Sequence, residues 1–337
     1  MCFALGGLEL YDFKLDEVAA WITGKNARVV ALQMPEGLKV YCHKIITELE
    51  TKTQSTCVVM ADPCYGACDV STDFQKFADV LVHFGHSEIP SMHVKDNIIF
   101  IEARIEADYA PLLPNLLPKL KDQIGLVSTV QYLQYLPSLK SWLEGNNKKV
   151  YIGRGGGRVK YEGQILGCDI SAATSVEDKV DQFLYLGTGD FHPLALAIQT
   201  KRPVIVMDPV AQEVRELQDL AERVLRQRHG AIVRASSAKK YLILVSTKPG
   251  QNRIDLAFRL RQMAMENDRK ADVVLMNEFD PDSLLPFEAD AYVSTACPRL
   301  AVDDFLRYPK PILTPVEMEI TLGLRKWSDY QLDRIEA

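Results

Sequence analysis

A pattern of strand, loop, helix and strand recurs three times along the chain, with a period of roughly 100 residues, the size of a small domain. The first copy runs RVVALQ, MPEGLK, VYCHKIITELE and TCVVMAD. The second runs IGLVSTV, QYLQYLPSLKSWLEG and KKVYIGR, and the third KYLILVST, KPGQNR, IDLAFRLRQMAMEN and ADVVLMNE. The strand segments are continuous runs of valine, isoleucine and leucine, the pattern of strands buried on both faces of a parallel sheet. Between them the period changes to that of a helix. Leu38, Tyr41, Ile45 and Leu49 recur at three- and four-residue steps, as do Leu139, Trp142 and Leu143, and then Ile254, Ala257, Leu260 and Ala264. Gly145-Asn146 is a stop signal for the second helix. A helix that crosses between two neighbouring strands makes them parallel and the connection right-handed.

Each copy continues into further apolar runs: ADVLVHFG and NIIFIEA, DQFLYLGTG and PVIVMDP, ADAYVSTAC and PILTP. The chain is therefore expected to be an α/β protein of three similar small domains with mainly parallel sheets, over residues 1–108, 109–210 and 211–337. The alternative is one continuous doubly wound sheet. Proline-rich PLLPNLLPKL at 111–120 joins the first two units, and a charged helix over 211–229 leads into the third. At 337 residues, 47% of them hydrophobic, the chain can bury a core for each unit. A net charge of −6 argues against a nucleic-acid partner, which calls for a basic face. No apolar run approaches the roughly 18 residues of a membrane helix, and the N-terminal segment lacks the basic start of a signal peptide. The expected location is the cytoplasm, with no membrane partner.

In that reducing compartment seven cysteines, an odd number, do not form a closed disulfide set. Ligands of open parallel sheets gather beyond the carboxyl ends of the strands, and three cysteines are expected there. Cys68 follows TCVVMAD in PCYGACD, Cys168 lies downstream of KKVYIGR in GQILGCDIS, and Cys297 follows ADAYV in STACPRL. Small residues precede each: Gly66 and Ala67, Gly167, and Thr295 with Ala296. They let a backbone approach a bulky inorganic group. Three thiolates would leave one iron of a four-iron cluster without a protein ligand, free to bind substrate. The residues alone also fit a zinc-dependent enzyme with three thiolates and a water, or a non-enzymatic α/β binding protein whose buried cysteines are structural. Cys297 follows a later strand of its unit than Cys68 and Cys168 do. Cys42, on a helix, and Cys57, in or beside a strand, read as structural, and Cys2 lies near the terminus. Cys64 competes with Cys68, since PCYGAC could chelate one metal through both sulfurs.

Other residues suit a cofactor pocket. Gln33, Ser128 and Ser246 stand at the ends of the three first strands. Gly187, Thr188 and Gly189, in GTGDFHP, can turn backbone N–H groups towards a carboxylate or ribose. His192 in the same loop either binds substrate and shuttles a proton or hydrogen-bonds the loop. GRGGGR at 153–158 lacks the GK[ST] ending of a phosphate loop, so Arg154 and Arg158 serve a carboxylate or the surface. His83, His86 and His93 show no zinc spacing with a cysteine pair and are expected to pack. Asp303 and Asp304 begin a helix.

The motifs LQMPEGLK at 32–39, YGACD at 65–69, HFGHS at 83–87, IGRGGGR at 152–158, GQILGCD at 163–169, FHPLALA at 191–197 and ACPR at 296–299 follow one another in this order, with KPILTPVE beyond. In them the sequence resembles, over nearly its whole length, the archaeal 2-(3-amino-3-carboxypropyl)histidine synthases of diphthamide biosynthesis, a non-conventional radical S-adenosylmethionine family. The resemblance implies three α/β domains around a central 4Fe–4S cluster held by Cys68, Cys168 and Cys297, with Cys64 outside the ligand set. It implies that S-adenosylmethionine binds at the open iron. The reduced cluster then cleaves the bond between the sulfonium and the γ-carbon, giving a 3-amino-3-carboxypropyl radical and methylthioadenosine. The group joins the imidazole carbon between the two ring nitrogens of a histidine in translation elongation factor 2. An electron donor and a homodimer are implied as well. Some relatives assist a catalytic partner, and the presence of all three cysteines favours the catalytic form.

Overall fold

Each of the three repeats forms its own sheet, and the strand order is the same in all three. In the computed structural model, which describes residues 10–335, Cys2 lies outside the described residues. Val29–Gln33 is flanked by Thr56–Val59 and Val80–Phe84, with Ile98–Ile101 beyond. Gln123–Ser128 is flanked by Lys149–Tyr151 and Gln182–Leu186, with Val204–Asp208 beyond. Lys240–Ser246 is flanked by Lys270–Met276 and Ala291–Ser294, with Ile312–Leu313 beyond. All these pairs are parallel, as the strand–helix–strand pattern requires. The registers correspond: Val30 lies between Cys57 and Val80, Ile124 between Val150 and Gln182, and Tyr241 between Ala271 and Ala291. The sheets are separate, so the single continuous sheet does not form.

An aspartate precedes the third strand of every unit. Asp79 Oδ2 accepts from the N–H groups of Arg28 and Val29 at 2.8 and 2.9 Å, and Asp290 Oδ2 from those of Lys239 and Lys240 at 2.8 and 2.9 Å. These bonds hold both carboxyls below the usual carboxylate range. In the second unit the corresponding residue is Asp181, whose N–H donates to Gln123 O at 2.9 Å.

The crossover helices pack as their periodicity dictates. Cys42–Thr53 buries Ile45 and Leu49, Leu136–Gly145 buries Leu136, Leu139 and Leu143, and Ile254–Glu266 buries Ala257, Leu260 and Ala264. Each fully buried leucine or isoleucine contributes about 1.5–3 kcal/mol relative to exposure. The second helix starts later than the apolar pattern, because Pro137 is tolerated only in its first turn.

Two expectations are corrected. Asp303 closes the helix Arg299–Val302 rather than beginning one, and Asp304 alone stands at the start of a further turn, Phe305–Arg307. The charged segment 211–229 is not helical throughout. Glu213–Glu216 pairs antiparallel with Val204–Asp208 as an edge strand, and the helix begins at Gln218 and runs to Ala235. Asp208 Oδ1 accepts from the N–H groups of Val210 and Ala211, both at 2.9 Å, and so forms the turn that sends the chain back along the sheet. The helix then carries Arg228 to Glu317 in the third unit. Both are buried, with Nε donating to Oε1 at 2.8 Å and a terminal guanidinium nitrogen to Oε2 at 2.5 Å. Among the described residues no helix is long and apolar enough to cross a membrane.

Candidate metal centre

In every unit the strand order changes direction between the first and third strands, so a crevice opens at their carboxyl ends. The loops beyond these ends meet. Cys68, Cys168 and Cys297 line one cavity of about 200 Å³. Cys68 leaves the second strand of its unit through a short turn at Ala67–Asp69, and Cys168 lies beyond the second strand of its own. Cys297 follows the third strand, Ala291–Ser294. The difference read from the sequence holds in the structure: the three cysteines do not stand at equivalent positions of their units.

Polar bonds between units hold the loops together. Lys248, only 4% exposed, donates to Asp69 Oδ2 at 2.8 Å and to Glu278 Oε1 at 2.6 Å, tying the third unit to the loop of Cys68. Its ammonium also stands 4.7 Å from the centroid of the Tyr65 ring. Arg158 of the second unit donates to Gly250 O of the third at 3.1 Å. Gln164 Nε2 donates to Ser87 Oγ at 2.7 Å and Gln131 Nε2 to Gly85 O at 2.6 Å, joining the second unit to the first. Glycines permit the close approach. A Cβ on Gly250 would lie 2.5 Å from Cys68 Cα, and one on Gly167 would lie 1.7 Å from the Phe191 ring.

The donor set fits a metal group that takes thiolates. Burial pushes all three thiols up, Cys168 to about 11. Against this work Gln251 and the Arg158 guanidinium at Cys68, and Arg158 at Cys168. Arg158 is buried and its Nε has no protein partner, so a cation stands beside two sulfurs with bonding capacity to spare. Gln251 bridges two of the cysteines. Its Nε2 donates to Cys68 Sγ at 3.3 Å, while its Oε1 accepts from the Cys297 N–H at 3.3 Å. A second hollow of about 300 Å³ adjoins the first and shares Tyr65, Gln251, Cys297 and Arg299 with it. A larger hollow, about 1020 Å³ beside Arg104–Tyr109 and Trp142, is lined by none of these cysteines.

The other expected residues fall differently. Gln33, Ser128 and Ser246 are buried and do not line the cavity. Ser128 Oγ donates to Leu186 O at 2.6 Å, and Ser246 Oγ accepts from Lys248 N–H at 3.1 Å. Gln33 is bonded to Asp69, Ser71 and His83. Thr188 and Gly189 line a separate hollow, and His192 lines both that hollow and the cysteine cavity. His192 opens the helix Phe191–Thr200, and burial, with Arg299 nearby, lowers its pKa to about 4. Gly187 lies at the turn before them, with φ of 147°. Cys64 is buried and does not line the cavity, Cys57 is buried in its strand, and Cys42 is half-buried against Met34. Arg158 is a wall of the cavity rather than a surface residue. Gln251, which closes the loop STKPGQ after a first strand, is a wall residue that no sequence motif marks.

Known proteins share this sequence and fold. Residues 34–331 match the family model described as "Putative diphthamide synthesis protein". The chain is 33% identical to the 2-(3-amino-3-carboxypropyl)histidine synthase of Pyrococcus horikoshii, over 97% of this chain and 94% of that one. It is also 33% identical to subunit 1 of the mouse 2-(3-amino-3-carboxypropyl)histidine synthase, over 96% of this chain and 75% of the relative. The crystal structure of Dph2 from Pyrococcus horikoshii with a 4Fe–4S cluster superposes with a TM-score of 0.89 at 33% identity, covering 97% of this chain and 94% of that one.

Proposed function

The chain belongs to the diphthamide synthesis family, and from that premise we propose that it is a 2-(3-amino-3-carboxypropyl)histidine synthase whose Cys68, Cys168 and Cys297 hold a 4Fe–4S cluster. It transfers the 3-amino-3-carboxypropyl group of S-adenosylmethionine to the imidazole carbon between the ring nitrogens of a histidine in translation elongation factor 2. The observation that carries this reading is the meeting of three thiols, one from each sheet unit, in a single cavity. The relative that holds a 4Fe–4S cluster shares the fold over nearly the whole chain.

When bound, such a cluster supplies a low-potential electron and an iron without a protein ligand, the chemistry needed to break a sulfonium carbon–sulfur bond. The chain's own residues do the rest. Arg158 neutralises thiolate charge at Cys68 and Cys168, and Gln251 fixes the spacing of Cys68 and Cys297. The adjoining hollow beside Cys297 is the place for the methionine part of the cofactor, where the Lys248 ammonium and Arg299 guanidinium meet a carboxylate. His192 is neutral at physiological pH and offers a hydrogen-bond acceptor to a ligand in the cavity. Which bond of the sulfonium breaks is set by how these walls orient it.

The test is anaerobic. The protein is reconstituted with iron and sulfide, reduced, and given S-adenosylmethionine with and without the elongation factor. The expected products are methylthioadenosine and, with the factor present, a histidine enlarged by the 3-amino-3-carboxypropyl group. Serine at Cys68, Cys168 or Cys297 abolishes both. Formation of 5′-deoxyadenosine instead overturns the assigned bond cleavage, and a colourless, iron-free protein returns the site to the zinc or binding-protein reading.

A further inference from the structure

We propose that Cys64, His83 and His86 form a second metal site, separate from the three-cysteine centre, that takes a single Zn²⁺ ion. The Cys64 sulfur and one ring nitrogen from each histidine all lie within 4.8 Å of one another. Cys64 and His83 are buried and His86 is half-buried. Two features separate this trio from packing side chains: the hydrogen bonding behind His83 and the chemistry of the three donors.

The network behind His83 fixes which nitrogen is free. Gln33 Nε2 donates to Asp69 O at 2.8 Å, which sets the amide so that Oε1 faces the other way. Oε1 then accepts from the Ser71 N–H at 3.1 Å and is bonded to His83 Nδ1 at 2.9 Å. An amide oxygen only accepts, so His83 carries its proton on Nδ1 and presents the lone pair of Nε2. This is the arrangement of a metal-ligating histidine, whose other ring N–H is held by an oxygen. His83 Nε2 faces His86 Nδ1 at 3.0 Å. Without metal, His86 donates its Nδ1 proton across that gap. With metal, the proton moves to His86 Nε2, and both facing nitrogens become ligands.

The spacing of the histidine pair and the donor chemistry agree. Zinc bonds of about 2.0–2.3 Å set tetrahedral donors about 3.3–3.6 Å apart. The histidine pair needs to open by only a few tenths of an ångström from its 3.0 Å separation. One thiolate and two imidazoles make a set of intermediate softness that suits zinc better than hard cations. Burial holds the Cys64 thiol up at about 12, so a bound ion must displace that proton. Three protein ligands leave a fourth position, and His86 is also part of the wall of the three-cysteine cavity. The ion therefore lies in the first unit, immediately behind that wall.

Iron and zinc are measured on one preparation of the reconstituted full-length protein after metal-free gel filtration. About one zinc per chain alongside cluster iron is expected, with C64S and H86Q losing the zinc and keeping the iron. A second measurement uses Co²⁺ as the probe, in a full-length variant with serine at Cys68, Cys168 and Cys297. A cobalt–thiolate absorption band is expected, and it disappears when C64S is added. Two results overturn the proposal: a protein that binds no zinc and gives no cobalt–thiolate band, or zinc retained undiminished by both C64S and H86Q. If the triple-serine variant does not fold, the iron and zinc contents of the reconstituted protein decide alone.

Discussion

Replacing Gln251 by leucine and by glutamate separates the hydrogen bond it gives to sulfur from the space it fills. Its Nε2 lies 3.3 Å from Cys68 Sγ and its side chain is only 4% exposed, so no water substitutes freely for the lost donor. A hydrogen bond to a charged group contributes about 1.5–3 kcal/mol. The bond tightens when the sulfur gains electron density, so the reduced centre loses more than the oxidised one. Taking about 1 kcal/mol as that difference, Q251L lowers the midpoint potential by about 40 mV, since a one-electron couple shifts 59 mV per tenfold change. Q251E puts an ionised carboxylate there instead. An electron added about 6 Å away, at an effective dielectric constant of about 20, meets about 3 kcal/mol of repulsion, on the order of 100 mV. The expected order of potentials is wild type, then leucine, then glutamate. A potentiometric titration followed by electron paramagnetic resonance reads it, with iron content measured on the same samples. Unchanged potentials in both variants at full iron occupancy would refute the tuning role.

Three further outcomes follow from the geometry. Gly250→Ala places a methyl group 2.5 Å from Cys68 Cα and 2.6 Å from Met92 Sδ. It should force the third-unit loop away from Cys68 and cut iron incorporation well below the wild-type level; full iron content would show that the loops move freely. Arg228→Met strands Glu317 in the core without its partner and should cost about 3–5 kcal/mol in urea unfolding, much of it restored by R228M/E317L; a double variant as unstable as the single would refute the pairing argument. Asp79 and Asp290 are held below their usual range, so their contribution is full above the unfolded carboxylate pKa of about 3.9 and is lost as pH falls through the lowered folded values. D79N/D290N should therefore be less stable than wild type at neutral pH and converge with it in strong acid, and parallel stability curves down to acid pH would contradict this.

The strands and crossover helices were legible because each is a local pattern: a buried parallel strand reads as an unbroken apolar run, and its helix as a change of period. Even the aspartate before each third strand is visible, in ADVLV, VDQFL and ADAYV, once the repeat is aligned. Glu213–Glu216 was not legible. EVRE carries no strand pattern of its own and is a strand only because Val204–Asp208 offers an edge. Arg158 was legible as a residue for a carboxylate or the surface, but its place beside two sulfurs was not, since a run of glycines and arginines carries no sign of burial. The bond from Gln251 to Cys68 joins residues 183 positions apart, and no local signal marks it. The pairing of Cys64 with His83 and His86 was hidden because a search by spacing looks for ligands on one turn, whereas these come from the carboxyl ends of two strands that flank a third, Thr56–Val59 and Val80–Phe84 about Val29–Gln33.

The inequivalence of Cys297 has a consequence for the site as a whole. Three identical units donating from identical positions would line the cavity with three like walls about a three-fold axis. Here two cysteines come from beyond second strands and one from beyond a third. The second-strand position of the third unit is taken by Asn277 and Glu278 instead, after Lys270–Met276. Glu278 is bonded to Lys248, and both line the hollow that adjoins Cys297. The third unit's thiol thus comes from beyond its third strand, and a charged wall stands beyond its second. The approaches to the three-cysteine cavity are therefore unequal, and the charged one is the one that opens into the second hollow.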